Sequence, residues 1–166
     1  MNKTNYDKVR EFNAVFGSPV YKQYEHELWE NKKIIKLRLD LIKEEVRELE
    51  DALENNDIIE TMDALGDILV VTYGALDAFG INGDKVFDEV HLSNMSKLCN
   101  TEQEAIESVE WYKTNNKIYD SPAYRYCNKQ DKYIIYNSSS GKILKNQSIN
   151  NSWAEPDFTN INNYNK

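Results

Sequence analysis

The chain has 166 residues, a formal net charge of −8 and a hydrophobic fraction of 40%. That length accommodates one domain, or one domain with an appendage, and the apolar content is ordinary for a packed core. The excess of negative charge argues against nucleic acid as a partner. Because no apolar run reaches the roughly 18 residues that a membrane helix requires, we expect no membrane partner either.

The start of the chain and its cysteines predict a cytoplasmic protein. The segment Met1–Tyr6 runs into charged residues rather than into an apolar stretch, which predicts no signal peptide. Cys99 and Cys127 are too few and too far apart for a disulfide framework or a zinc site. This use of cysteine is typical of a reducing cytosol.

Apolar periodicity predicts helices over most of the first hundred residues. The predicted helices cover residues 6–16, 34–53, 58–79 and 84–98. Residues 34–53 carry one apolar stripe at three- and four-residue steps, and Asp57 is placed to cap the helix that follows. Residues 58–79 are apolar nearly all round, which predicts a central, buried helix. The short connections predict an all-α core over residues 1–98, an antiparallel bundle of about four helices.

Residues 99–166 have a different character and predict a mixed extension. Residues 102–113 can form one more helix. A β-hairpin is predicted for residues 133–136 and 142–145, which lie on either side of the turn Asn137–Gly141. Because an isolated hairpin is marginal in water, we expect this extension to pack on the helical core or on a neighbouring subunit.

Two acidic clusters at helical spacing are the most informative feature of the sequence. They consist of Glu44, Glu45 and Glu48 on one predicted helix and of Glu60, Asp63 and Asp67 on the next. On a helical wheel, Glu45 and Glu48 flank the apolar stripe and Glu44 lies on the far side of Glu48, whereas the second cluster shares an arc of about 60°. Carboxylates on two neighbouring helices form a site for hard divalent cations. Mg²⁺ takes oxygen ligands and commonly enters enzymes alongside substrate phosphates.

A charged arc on an otherwise apolar helix requires compensation. Unpaired carboxylates buried there would be costly, and like charges would raise one another's pKa. A divalent cation removes that cost. The alternative to a cation is that salt bridges to Lys36, Arg38 or Arg47 neutralise these carboxylates. The neighbouring Glu50 is interpreted as part of a solvated face.

At these residues the chain resembles the all-α nucleoside triphosphate pyrophosphohydrolases. This MazG-like superfamily includes dimeric dUTPases and phosphoribosyl-ATP pyrophosphohydrolases, and its signature is EExxE on one helix followed by ExxD on the next. Glu44-Glu45-x-x-Glu48 matches the first half. Two registers stay open for the second half. Either Asp67 is its Asp, with Ala64 at the Glu position, or Glu60-x-x-Asp63 completes it one turn earlier.

Further stretches extend the resemblance over roughly residues 8–98. One branch of the superfamily, found in bacteria and phages, is similar to this chain over residues 63–74 and 86–98. The second of these stretches contains the sequence SNMSK at residues 93–97. Residues 141–145 resemble the carboxy-terminal GKVLK element of that branch. Residues 100–135 look like an insertion.

The resemblance implies hydrolysis of a (d)NTP to a (d)NMP and pyrophosphate, by attack of water between the α- and β-phosphates. It implies a Mg²⁺ site in which Mn²⁺ can substitute, and a homodimer or homotetramer with sites near subunit interfaces. The implied metal ligands are Glu45, Glu48, Glu60, Asp63 and Asp67, and the implied catalytic residues are Glu44, Glu45 and Glu48. We expect Asn94 to read a base or sugar, and Lys97 and Arg38 to pair with phosphate.

Two other classes of function compete with this one. A carboxylate-bridged di-iron bundle needs Glu-x-x-His on two helices, and only Asp88-x-x-His91 approximates it. A non-catalytic helical module that binds nucleotide, metal or another protein is favoured by Ala64, which replaces a signature Glu. Within the enzyme class the base stays open among dUTP, dCTP, purine triphosphates and damaged nucleotides, and phosphoribosyl-ATP is less expected.

Overall fold

The computed structural model describes residues 2–21, 26–159 and 161, and this part of the chain is mostly helical. The helices are α1 (Asn5–Val15), α2 (His26–Glu30), α3 (Lys32–Glu54), α4 (Ile58–Ala78), α5 (Gly83–Met95) and α6 (Glu102–Asn115). The strands β1 (Pro122–Cys127) and β2 (Lys132–Asn137) follow them. The predicted helical core with a β-hairpin in its C-terminal part is confirmed. The short helix α2 was not predicted.

The chain divides into two compact units. The first contains Met1–Phe87 and Phe158–Lys166, and the second contains Asp88–Asp157. The division therefore falls within α5, whereas the sequence placed a boundary after residue 98. Phe158 and Ile161, at the end of the described part of the chain, belong with the first unit.

Helix ends follow the capping signals in the sequence. Asp57 caps α4 as predicted, because its carboxylate accepts hydrogen bonds from the backbone N–H groups of Ile59 and Glu60. Thr4 and Asp7 form a capping box at the start of α1. Between α3 and α4, Asn56 adopts a φ of 55°, a left-handed conformation that asparagine tolerates better than most residues. This tight turn makes α3 and α4 an antiparallel pair.

In the first unit, α1 packs on α4 through buried polar and aromatic contacts. The Tyr6 hydroxyl donates to the backbone oxygen of Ile81 at 2.8 Å, and the buried Asn13 side chain donates to Asp77 at 2.8 Å. Gly83 lies against the rings of Tyr6 and Tyr73, where a Cβ atom would approach ring carbons to within 2.9 Å and 2.7 Å. These contacts fix α1 and the start of α5 on α4.

The prediction that residues 58–79 form a buried helix is wrong for the single chain. Its large apolar side chains are mostly exposed, namely Ile58, Ile59, Met62, Leu65, Leu69 and Val70. The covered face carries small residues instead, namely Ala64, Gly74, Ala75 and Ala78. One chain covers α4 mainly with α3 and α1. These helices approach the small-residue face, and the broad apolar face has no partner among the described residues.

The second unit has its own core, formed where α6 packs on the hairpin. Its buried residues are Cys99, Ala105, Val109, Tyr112, Ile135 and Leu144. The predicted strand 133–136 lies within β2, but its partner is β1 and not residues 142–145. The latter segment pairs with β2 at one position, the isolated bridge between Tyr136 and Ile143, where Asn137 N donates to Lys142 O and Leu144 N donates to Ile135 O. Tyrosines paired across the two strands, such as Tyr126 with Tyr133, favour the observed partner.

No single helix in the described ranges is long and apolar enough to cross a membrane. Only the successive helices α4 and α5 taken together have the length and apolar composition of a membrane span, and a sharp bend separates them.

Candidate active site

The two acidic clusters lie on the facing helices α3 and α4 of the first unit. Glu45 and Asp67 are half-buried. The other candidate ligands are exposed, namely Glu44, Glu48, Glu60 and Asp63. The site therefore has a partly covered centre and a solvated rim, in which long carboxylate side chains are free to change rotamer.

Glu45 is the centre of this cluster. Burial raises the pKa of its carboxyl above the ordinary value, and the negative charges of Glu48, Asp67, Glu44 and Asp63 raise it further. Its Oε2 atom is buried and has no hydrogen-bond partner in the described structure. The fold thus gathers carboxylates from both helices around one oxygen that lacks compensation.

Each of the two registers that the sequence left open supplies one aspartate whose charge acts on Glu45. Asp63 and Asp67 both act on Glu45, one turn apart on α4. Glu60 lies in the first turn of α4, and its charge is not among those that shift the Glu45 carboxyl. Ala64, at the position of the signature Glu, is buried between these two aspartates along the helix. Asp63 and Asp67 are therefore the carboxylates of α4 that accompany Glu45.

Salt bridges do not neutralise this cluster in the described part of the chain. Lys36 instead pairs with Asp40, one turn along the same helix. Arg38 is buried and feels the charge of Asp77, and Arg47 forms no ion pair among the described residues. The alternative of structural salt bridges is thus unsupported at the residues where the sequence suggested it.

The donor set fits a hard divalent cation in its chemistry, because every candidate ligand offers carboxylate oxygen. The unpartnered Oε2 of Glu45 is the atom that such an ion would satisfy. No three of the described His, Cys, Asp or Glu side chains are arranged closely enough to hold a metal as they stand. Binding would require the exposed carboxylates to turn inward toward Glu45.

Arg38, a predicted phosphate ligand, lies in a buried polar group on the same two helices. Burial lowers the pKa of its guanidinium, and the charge of Asp77 partly opposes that effect. A Cβ atom on Gly74 would approach Arg38 Nη1 to 3.2 Å, so the glycine gives the guanidinium its space. Asp77 also accepts from Asn13 and lies 3.4 Å from Arg10 Nε. Sequence analysis missed this group, although a carboxylate at position 77 in an apolar helix was a usable signal.

The other predicted substrate ligands, Asn94 and Lys97, belong to the second unit. Lys97 Nζ donates to Asn94 Oδ1 at 2.6 Å, so the structure brings these two side chains together. Both border a mainly apolar cavity of about 240 Å³. Lys97 also borders a second cavity, together with Lys142 and Lys145.

Comparison with known proteins identifies a family over the part of the chain that carries the acidic clusters. The phosphoribosyl-ATP pyrophosphohydrolase family matches residues 9–94, which include both acidic clusters. An uncharacterized protein of Acanthamoeba polyphaga mimivirus, L479, is 34% identical, and the match covers 87% of this chain and 91% of the viral protein.

Proposed function

Because this chain belongs to the phosphoribosyl-ATP pyrophosphohydrolase family, we propose that it is a metal-dependent nucleoside triphosphate pyrophosphohydrolase. It would convert a (d)NTP and water to a (d)NMP and pyrophosphate. The observation that carries this proposal is the buried, unpartnered Oε2 of Glu45, a carboxyl on which the charges of carboxylates from two helices act. A triphosphate substrate would bring its metal ion to a site of this charge.

Glu45, Glu48 and Asp67 would hold Mg²⁺, or Mn²⁺ in its place, with Asp63 and Glu60 as further ligands. The ion would neutralise phosphate oxygens and stabilise the charge of the transition state. Glu44, exposed at the rim of the cluster, would position the attacking water.

In the reaction, the oxygen of water forms a bond to phosphorus and the P–O bond of the α–β bridge breaks. Pyrophosphate leaves, and the proton of water passes to solvent through the carboxylate rim. Asn94 and Lys97 would contact the base, sugar or phosphates of the substrate, as would Arg38 if its buried guanidinium becomes accessible. The protein would act in the cytoplasm.

The broad apolar face of α4 supports a homo-oligomer. Exposed leucines and a methionine, Met62, Leu65 and Leu69, follow one another at helical spacing on this face. Such a face is costly in water and is typical of a helix that packs on a second copy of the chain. We therefore propose a homodimer or homotetramer in which α3 and α4 meet their counterparts.

A non-catalytic module is the competing proposal, because Ala64 stands where the signature has Glu and no ready-made metal cluster exists among the described residues. Nucleotide-dependent metal binding without turnover would favour it. The partial replacement of the missing Glu by Asp63, whose charge reaches Glu45, favours the enzyme instead.

The test is product analysis by ³¹P NMR with Mg²⁺ or Mn²⁺ and a panel of NTPs and dNTPs. We expect monophosphate and pyrophosphate from the native protein. Glu48→Gln should lower kcat by about a hundredfold or more, a typical effect of removing one electrostatic group from such a site. Glu50→Gln is the matched control, because it makes the same change on an exposed part of α3 and should retain activity. Orthophosphate as product, or no turnover of any nucleotide, would overturn the proposal.

A further inference from the structure

The first unit contains an apolar cavity of about 290 Å³ beside the C-terminal end of α4. Leu76 and Phe79 line it at that end, and Val86 lines it from α5. Leu28 of α2 and Ile161, near the end of the described chain, complete the covered walls and are only 2% and 4% exposed. Walls that are covered this well distinguish the cavity from an open apolar face.

Hydrogen bonds fix the backbone around this cavity. Ile81 N donates to the carbonyl oxygen of Leu76 at 2.8 Å, and the carbonyl oxygen of Ile81 accepts from the Tyr6 hydroxyl at 2.8 Å. On the α2 side, Asn31 N donates to the carbonyl oxygen of Leu28 at 3.1 Å. Collapse of the walls toward one another would break such bonds, so the fold maintains the cavity. A ligand that filled it would supply dispersion contacts that the wall side chains otherwise lack.

The lining determines the chemistry and the size of a ligand. None of the described lining residues is charged, and the indole N–H of Trp29 is the only polar side-chain group among them. An ionised or strongly polar ligand would therefore lose its hydrogen bonds to water without replacement. The rings of Trp29, Phe79 and Phe158 favour an aromatic ligand, because aromatic rings pack well edge to face or offset. An apolar cavity of about 150 Å³ holds benzene, so this larger one accommodates two fused rings.

We propose that this cavity is a binding site for an uncharged aromatic molecule of about two fused rings. The ligand would enter beside Trp29 and Phe158, which are 58% and 43% exposed. The site is separate from the carboxylate cluster, because Leu76 lies nine positions beyond Asp67 on α4, about 13.5 Å along the helix axis. The proposal needs neither a metal ion nor a nucleotide, so it does not depend on the proposed hydrolysis.

The test is a titration of the full chain with naphthalene, followed by NMR of ¹³C-labelled Ile, Leu and Val methyl groups. We expect saturable shifts at the cavity methyl groups of Leu76, Ile81 and Val86, and none at Leu69 on the exposed face of α4. Naphthalene-1-sulfonate has the same rings and a charge, and should bind at least about tenfold more weakly. Deoxynucleosides should not shift the cavity methyl groups, because their polar groups would find too few partners there.

Matched variants decide whether the cavity is responsible. Val86→Phe fills part of the cavity and should weaken naphthalene binding by at least about tenfold, since the added ring competes for the same space. Leu76→Phe is a second filling variant, and the methyl spectrum shows whether each variant folds. Val15→Phe is the control, because it makes the same change at an exposed position of α1 and should leave the affinity unchanged.

Four results would each overturn the proposal. The first is the absence of saturable shifts at the cavity methyl groups, and the second is shifts of the same size at Leu69. The third is binding of naphthalene-1-sulfonate or of deoxynucleosides as strong as that of naphthalene, which would assign the cavity to polar ligands. The fourth is undiminished affinity in a folded filling variant. If neither filling variant folds, the titrations of the native chain decide by the first three results.

Discussion

Asp67 on α4 acts directly on Glu45 of α3, and its negative charge adds to the burial that raises the pKa of the Glu45 carboxyl. The two residues are 22 positions apart in sequence and meet only because α3 and α4 form an antiparallel pair. Their repulsion makes the folded chain bind a proton at Glu45 more tightly than the unfolded chain does. The same repulsion is what a divalent cation would relieve.

The first prediction concerns this raised pKa. Ionisation of Glu45 lowers the free energy of unfolding, because the folded chain disfavours the charged carboxylate. This destabilisation is absent at pH values well below the ordinary pKa of 4.5 and is fully present at pH values above the raised pKa. In EDTA, Glu45→Gln should therefore raise the melting temperature at pH 7, and the gain should shrink toward zero at pH 4. Differential scanning calorimetry at both pH values measures it. Glu50→Gln should show no such pH-dependent gain, and an equal gain there would contradict the assignment.

The second prediction contrasts two glycines. Gly83→Ala should destabilise the fold by about 1–3 kcal/mol, because the added Cβ would overlap ring carbons of Tyr6 and Tyr73. Gly66, within α4, has open space where a Cβ would lie, with no neighbouring atom within 4 Å. Gly66→Ala should therefore stabilise the fold by about 0.8–1 kcal/mol through helix propensity. Urea unfolding measures both values. If Gly83→Ala and Gly66→Ala changed the free energy of unfolding by similar amounts in the same direction, the contacts at Gly83 would be misassigned.

The third prediction concerns the core of the second unit. Ile135 lies on β2 and is fully buried in the core that β2 forms with α6. Ile135→Ala should therefore lower the free energy of unfolding by about 2–5 kcal/mol. Ile149 is 93% exposed and serves as the control, since Ile149→Ala removes the same atoms from solvent-exposed surface. Its effect should lie within about 0.5 kcal/mol of zero. A small effect at Ile135 would mean that this core is not formed.

The fourth prediction concerns the two thiols. Burial raises the pKa of Cys99 to about 11, and Cys99 is fully buried beside Ser108. Since the thiolate is the reactive form, Cys99 should react slowly with a thiol reagent at pH 8 until the protein is unfolded. Cys127 is half-exposed and should react first. In Cys127→Ser, a colorimetric thiol assay should detect almost no fast-reacting thiol, and a fast reaction there would contradict the burial of Cys99.

The fifth prediction concerns the proposed oligomer. Leu69→Lys places a charge on the exposed apolar face of α4 and should dissociate the oligomer, because the ammonium would be buried at the interface without a partner. Light scattering coupled to size-exclusion chromatography measures the mass. Ile149→Lys adds the same charge at an exposed position of the second unit and should leave the mass unchanged. A monomeric native protein at micromolar concentration would refute the proposal.

Much of the helical core could be predicted because it depends on local signals. The boundaries of α3 and α4 follow apolar periodicity and the cap at Asp57, and both act within one or two turns of helix. The partner of β2 could not be predicted in this way. Residues 142–145 look as suitable as β1, and the choice depends on tyrosine contacts across strands and on packing against α6.

The sequence by itself determined that two acidic clusters occupy successive helices, because helical spacing brings residues three and four positions apart to one face. Only the tertiary structure decided that Asp63 and Asp67, rather than Glu60, act on Glu45, since that depends on how α3 and α4 align. It also decided that the large apolar side chains of α4 remain exposed in one chain and that Lys97, Lys142 and Lys145 share a cavity. Burial and long-range proximity are properties of packing, and periodicity along one helix does not specify which neighbours will cover it.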